Sequence, residues 1–190
     1  LIARPLAVLV RRFGPRSRQE ELDPVVEDEL VALAEAAAEA SLIEDDEAHL
    51  IGSIIELGDT IVREVMVPRP DMVTLEAHLT VSEALAVIVD TGFTRLPVVG
   101  DTVDDVIGLV LSKDLLAAQL RNPNDTDMRG LTREAVFVPE SKRVVELMRE
   151  MQSSKSHLAI VVDEYGGTAG LVSLEDILEE LIGEIVDEFD

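Results

Sequence analysis

Cysteine and tryptophan are absent from this chain of 190 residues, and aromatic residues make up only 3% of it. Without thiols there is no disulfide framework and no thiolate metal site, a composition suited to a reducing compartment. With 47% hydrophobic residues and so few rings, any core has to be packed from Val, Leu, Ile and Ala. Basic residues are scarce too: 16 Lys and Arg face 39 Asp and Glu, for a net charge of −23. Phosphate backbones call for a basic surface, so nucleic acid is not expected as a partner. No run of about eighteen apolar residues occurs, so no stretch is long enough to cross a bilayer as a helix. Signals of catalysis are missing as well. His49, His78 and His157 are the only histidines and none has the spacing of paired metal ligands, and there is neither a Gly-x-Ser-x-Gly elbow nor a Walker loop. A role other than an enzyme's is expected.

What the sequence does contain is an internal repeat. Leu158 to Val162 reads as a β-branched strand, Gly166-Gly167 as a tight connection, Ala169 to Val172 as the return strand, and Ser173-Leu174-Glu175-Asp176 as a capping box opening a helix. Ile107-Gly108-Leu109-Val110 matches Ala169-Gly170-Leu171-Val172 at an offset of 62, from Gly108 to Gly170. Upstream, Val98-Val99 matches Val161-Val162 and Val73 matches Val136, at an offset of 63 from Val73 to Val136. A repeat of about sixty residues exceeds a solenoid unit, so two homologous subdomains are read, each running strand, helix, strand, strand, helix. The fold class is α+β.

Charge is unevenly distributed along the chain. Arg4, Arg11, Arg12, Arg16 and Arg18 precede the first acid, Glu20. An apolar start followed by arginines is what the cytoplasmic edge of a preceding membrane helix looks like, and an amphipathic helix or basic tail is the alternative. The chain opens at Leu1 without methionine and is expected to be part of a longer one. Asp23-Pro24 starts a first, alanine-rich helix, and a second runs from Asp45 to Gly58 with Leu50, Ile51, Ile54 and Ile55 at helical spacing. The acids Glu44 to Glu47 are read as favouring that helix's N-terminus rather than as a metal site. Val73 and Leu75 are expected to form the first strand of copy one, and the helix of copy two is expected over Lys142 to Gln152.

The run Gly170, Ser173, Asp176 meets the Gly-apolar-apolar-Ser/Thr-x-x-Asp signature of cystathionine-β-synthase (CBS) domains, and the pair of copies resembles a Bateman module. Glu64 to Arg69, Gly92 to Val98, Val162 to Thr168 and Leu174 to Ile185 resemble one branch closely, the haemolysin C-like, CorC/cyclin M family linked to magnesium and cobalt efflux. The resemblance covers Asp45 to Asp190 and implies tandem CBS domains behind a helical N-terminal segment. The divisions expected are a basic juxtamembrane segment and linker over 1–22, a helical segment over 23–60, a first CBS domain over 61–121, and a second with an acidic C-terminal helix over 122–190.

Ser173 and Asp176 cap a helix, and free amides at such an end also attract phosphate. In CBS modules the matching positions commonly meet a nucleotide's ribose and phosphate. Thr94, Arg95 and Pro97 have no counterpart in copy two, and Arg95 is placed either beside an anionic ligand or in a surface ion pair. On resemblance alone, Met66, Val67 and Pro68 line the adenine end. Asp114 matches Asp176, but Leu111 stands where Ser173 stands, so one proper site is expected rather than two. The implied ligand is an adenine nucleotide, ATP or AMP, with Mg²⁺ favoured for a triphosphate because of the acidic field. The resemblance implies a regulatory module on the cytoplasmic face of a divalent-cation transporter, with a transmembrane domain before it and a C-terminal domain after it. A homodimer is expected, and a purely structural dimerisation module without ligand is the alternative.

Overall fold

The computed structural model describes residues 24–122 and 128–183. The expected basic segment over 1–22, most of the linker between copies and the acidic residues 184–190 lie outside the described residues. Two helices come first, α1 (Pro24–Glu39) and α2 (Asp45–Leu57), packed against each other. Glu44 caps α2 in a box with Glu47, whose carboxylate takes the Glu44 amide at 2.9 Å. The acids there serve the helix end, and no cluster of metal-ligating side chains occurs among the described residues. A short helix α3 (Val62–Val65) and strand β1 (Val67–Pro68) follow.

Copy one then runs β2 (Leu75–Glu76), α4 (Val81–Thr91), β3 (Arg95–Val99), β4 (Val106–Leu111) and α5 (Ser112–Arg121). Copy two repeats the order with β5 (Val136–Pro139), α6 (Val144–Ser154), β6 (Leu158–Val162), β7 (Thr168–Ser173) and α7 (Leu174–Ile182). In each copy the first strand pairs in parallel with the second across a helix, and the second and third form an antiparallel hairpin. Thr80 and Glu83 box the start of α4, and Gly92 closes it at φ 75°. Two boundaries differ from expectation. Val73 stays outside the ladder, which begins at Leu75 opposite Val98, and α6 begins at Val144 because Arg143, at its cap, is still extended.

The repeat exchanges its ends. β1, which precedes copy one in sequence, is an edge strand of copy two's sheet, antiparallel to β7 with Val67 opposite Leu171 and Pro68 opposite Gly170. Leu57 and Val62 are buried in copy two's core with Val138, Leu147, Met151, Val172 and Ile177. In return, Met128, from the run leading into copy two, is buried in copy one's core with Leu75, Val98, Val110 and Leu115. Arg133 exchanges both backbone bonds with Leu109 of β4, at 2.9 and 2.8 Å. Gly108 and Gly170 sit under these crossings. A Cβ at Gly170 would collide with the Val67 carbonyl oxygen, and one at Gly108 with that of Arg133. The glycine of the repeated motif is therefore a requirement for close backbone approach. Leu109, Ala135, Leu158 and Ile160 form a third buried cluster that joins the copies.

Candidate functional site

Between the copies lies a cavity of about 300 Å³, lined by Val67, Asp71, Val73, Gly92 to Leu96, His157, Leu158, Leu171, Ser173, Glu175 and Asp176. Its floor belongs to copy two, where β7 delivers Ser173 to the start of α7. Ser173 is in extended backbone and its hydroxyl accepts the Asp176 amide at 3.1 Å, while Asp176 Oδ2 accepts the Ser173 amide at 2.7 Å. Asp176 Oδ1 takes no hydrogen bond from any described residue. The first turn of α7 thus presents a carboxylate oxygen and the positive end of the helix at one wall of the cavity, while the amides of Ser173, Leu174 and Asp176 are bonded to Asp176 Oδ2, the His157 carbonyl and Ser173 Oγ.

Copy one supplies the opposite wall. Gly92 ends α4, so the chain turns directly into Phe93, Thr94 and Arg95 at the start of β3. Arg95 is half-buried and reaches Glu175 across the cavity, Nη1 to Oε1 at 3.7 Å, with Thr94 Oγ1 at 3.3 Å. Arg95 thus lines the cavity and is ion-paired with Glu175. Val67, Val73, Leu96, Leu158 and Leu171 give the rest an apolar character.

Of the residues singled out in the sequence, Ser173, Asp176, Arg95, Thr94 and Val67 come together here. Four do not. Met66 packs against copy two's core and lies over Gly170, and Pro68 is exposed beside the same glycine. Pro97 is buried in β3 two residues beyond Arg95, on the same face of the strand but outside the cavity lining. Asp114 sits at α5, where Oδ2 accepts both Nε (3.0 Å) and Nη2 (2.6 Å) of Arg133. That pair borders a separate space of about 250 Å³ with Ala118, Arg121 and Gly130 to Thr132. The cap of α5 is Leu111, which offers no side-chain bond to the helix.

Sequence reasoning passed over Asp71, Phe93, His157 and Glu175. The repeat could have found His157, which is unlike Thr94 in kind but stands at its position, 63 residues on: Leu174 N bonds to the His157 carbonyl at 3.0 Å as Ser112 N bonds to that of Thr94 at 2.9 Å. Glu175 lies on the capping turn itself, between Ser173 and Asp176.

Fold and cavity together define a paired repeat module with a ligand-sized cleft between its halves. Comparison with known proteins gives it a family. The CBS domain model matches residues 62–121 and 127–183. A UPF0053 protein of Mycobacterium tuberculosis is 46% identical over 182 residues, 94% of this chain and 40% of the relative. The magnesium and cobalt efflux protein CorC of Escherichia coli is 40% identical over 168 residues, 88% of this chain and 58% of the relative. Among solved structures, the CBS domain of a bacterial CNNM/CorC family Mg²⁺ transporter in complex with ATP superimposes with a TM-score of 0.69 at 42% identity, covering 73% of this chain and 99% of that one. A CBS-domain pair from Klebsiella pneumoniae with bound AMP gives 0.58 at 28%, covering 65% and 99%. The chain belongs to the CBS domain family, as a CBS module of the CorC/CNNM Mg²⁺ transporter family. It spans about half the length of the curated relatives it matches. Among the described residues no helix is long and apolar enough to cross a membrane.

Proposed function

We propose that this module regulates a membrane-embedded divalent-cation transporter from its cytoplasmic face, by taking one adenine nucleotide in the cleft between the copies. The observation that carries this reading is the division of the cavity. Apolar Val67, Val73 and Leu171 suit a base, and the boxed start of α7 with its open Asp176 oxygen suits a ribose and phosphate. At about 300 Å³ the space stands at the small end of ligand pockets, roughly 300–1,000 Å³. The complexes of the two solved relatives with ATP and AMP support the ligand class.

Charge within the cleft bears on the choice between them. Asp71, Glu175 and Asp176 outnumber Arg95, so a triphosphate would enter more readily with Mg²⁺ than alone, and AMP would need less screening. In copy one, Arg133 holds the carboxylate that matches Asp176, and Leu111 offers no hydroxyl, which supports a single site. Exposed Val89, Leu116 and Leu120 on α4 and α5 support a homodimer through these helices. A preceding transmembrane domain and a following C-terminal domain complete the protein in this account.

Thermal unfolding with AMP, ADP and ATP, each with and without Mg²⁺, tests the reading. At about 100 times Kd a ligand adds about 2.7 kcal/mol, so the wild type should gain several degrees and Asp176→Ala should not. The magnesium dependence then selects the nucleotide. If no nucleotide moves either protein, the ligand-free dimerisation module replaces this account.

A further inference from the structure

The turn Asp163 to Thr168 is one of the motifs that carry the family resemblance, yet none of its residues lines the cleft. Its geometry shows what it builds. Asp163 Oδ1 accepts the amides of Tyr165 at 2.9 Å and Gly167 at 2.8 Å, and the Asp163 amide donates to the Gly167 carbonyl at 2.9 Å. Gly166 takes φ 85°, a left-handed conformation that favours glycine. A Cβ at Gly167 would lie 2.9 Å from Asp163 Oδ2 and 3.5 Å from Asp104 Oδ1. The next amide, Thr168 N, leaves the turn and donates to Asp104 Oδ1 at 2.8 Å.

Asp104 belongs to copy one, in the connection between β3 and β4. Its carboxylate also receives a two-pronged bond from Arg69, Nη1 to Oδ1 at 2.7 Å and Nη2 to Oδ2 at 2.8 Å. One side chain therefore joins copy one, copy two's hairpin and the segment that leads into copy one. The place of Arg69 in the chain gives this its meaning. Val67, Asp71 and Val73 form one wall of the cleft, and Arg69 lies between the first two, at the head of a 3-10 turn closed by Met72 N to the Arg69 carbonyl at 3.3 Å.

We propose that Asp104 is a positioning residue for the nucleotide site: by clamping Arg69 and the Thr168 amide, it fixes the wall 67–73 against β7, whose other end carries Leu171 and Ser173. It touches no ligand. Exposed ion pairs add little to global stability, but a forked bond to a planar guanidinium fixes direction as well as distance. Releasing it lets the wall leave its binding arrangement, and apparent affinity falls with the fraction that remains competent. The effect on affinity rests on the nucleotide reading of the cleft, whereas the order of the wall does not.

The test uses the full chain with Asp104→Asn, Arg69→Ala, their double variant and Arg69→Lys, which keeps the charge without the fork. Amide hydrogen exchange is followed over 67–73 and 168–173 without nucleotide, and Kd for Mg²⁺ with ATP is measured by calorimetry. Asp104→Asn and Arg69→Ala should each speed exchange over 67–73 and raise Kd roughly fivefold. The double variant should be no worse than either single one, and Arg69→Lys should fall between them and the wild type. Exchange at the wild-type rate, or losses in the singles that multiply in the double, overturns the proposal. Faster exchange in a protein whose wild type binds no nucleotide would sink the functional reading and leave the clamp standing. Should Asp104→Asn fail to fold, Arg69→Lys and Arg69→Ala carry the same comparison.

Discussion

Asp104 accepts from Thr168 N and from Arg69, and in that order these bonds hold its carboxyl below the usual carboxylate range. Bonds to the charged form favour ionisation, so the contribution of this residue to stability is complete above the unfolded pKa of about 3.9 and fades as pH falls through the lower folded value. The stability difference between wild type and Asp104→Asn should therefore be constant at neutral pH and shrink in the acid limb of a denaturant titration. A difference that grows with acid would contradict the assignment. The neighbouring acid Asp163 accepts the Tyr165 and Gly167 amides.

Single residues also mark how far the sequence could be read. Ser173 and Asp176 are legible because a capping box is local: a hydroxyl and a carboxylate three residues apart at the end of a strand admit few arrangements. Arg95 is legible as a charge without a counterpart in copy two. The pairing of Arg133 with Asp114 and that of Arg69 with Asp104 are not, since they join residues 19 and 35 positions apart through a chain path that only the folded copies define. Pro97 shows the opposite error. It shares the face of β3 that carries Arg95, but lies two positions further along the strand and outside the cavity lining.

At the level of elements, the repeat made both copies and most helices readable, because each copy obeys the same alternation of apolar runs and caps. The exchange of ends was hidden. β1 is two residues long and includes a proline, so it carries no strand signal, and its partner β7 lies about a hundred positions further on, a distance over which local pattern says nothing. The consequence is specific. Gly170→Ala puts a methyl group against the Val67 carbonyl, with Met66 Sδ 3.1 Å away, and must displace β1 from β7. A cost of about 1–3 kcal/mol by urea unfolding is expected, together with weaker nucleotide binding, since Val67 belongs to the cleft wall. Unchanged stability would mean that the lead-in can shift without loss, against the packing described. The same logic explains why the glycine recurs at Gly108, under the Arg133 carbonyl.

α7 is the element on which the account turns. Its first turn holds Ser173, Glu175 and Asp176 at the cleft, its buried Ile177 anchors copy two, and it packs on α2 and α3. A ligand at its start is thus one rigid helix away from the α1 and α2 pair. Coupling requires that the nucleotide favour one arrangement of these parts over another, because equal affinity for both would shift nothing.

For the whole molecule, the central claim is that one adenine nucleotide occupies the cleft between the copies. An acidic chain can host an anion only where its charges are locally arranged for it, and the cleft is the place where Arg95, the N-terminus of α7 and an apolar wall converge. Chemical-shift mapping on ¹⁵N-labelled protein titrated with Mg²⁺ and ATP locates the ligand most directly. The account predicts saturation at one equivalent, with the largest shifts at Val67, Asp71, Thr94, Arg95, His157 and Leu171 to Asp176. Shifts gathered around Asp114, Arg121 and Arg133, saturation at two equivalents, or no shifts at all would contradict it.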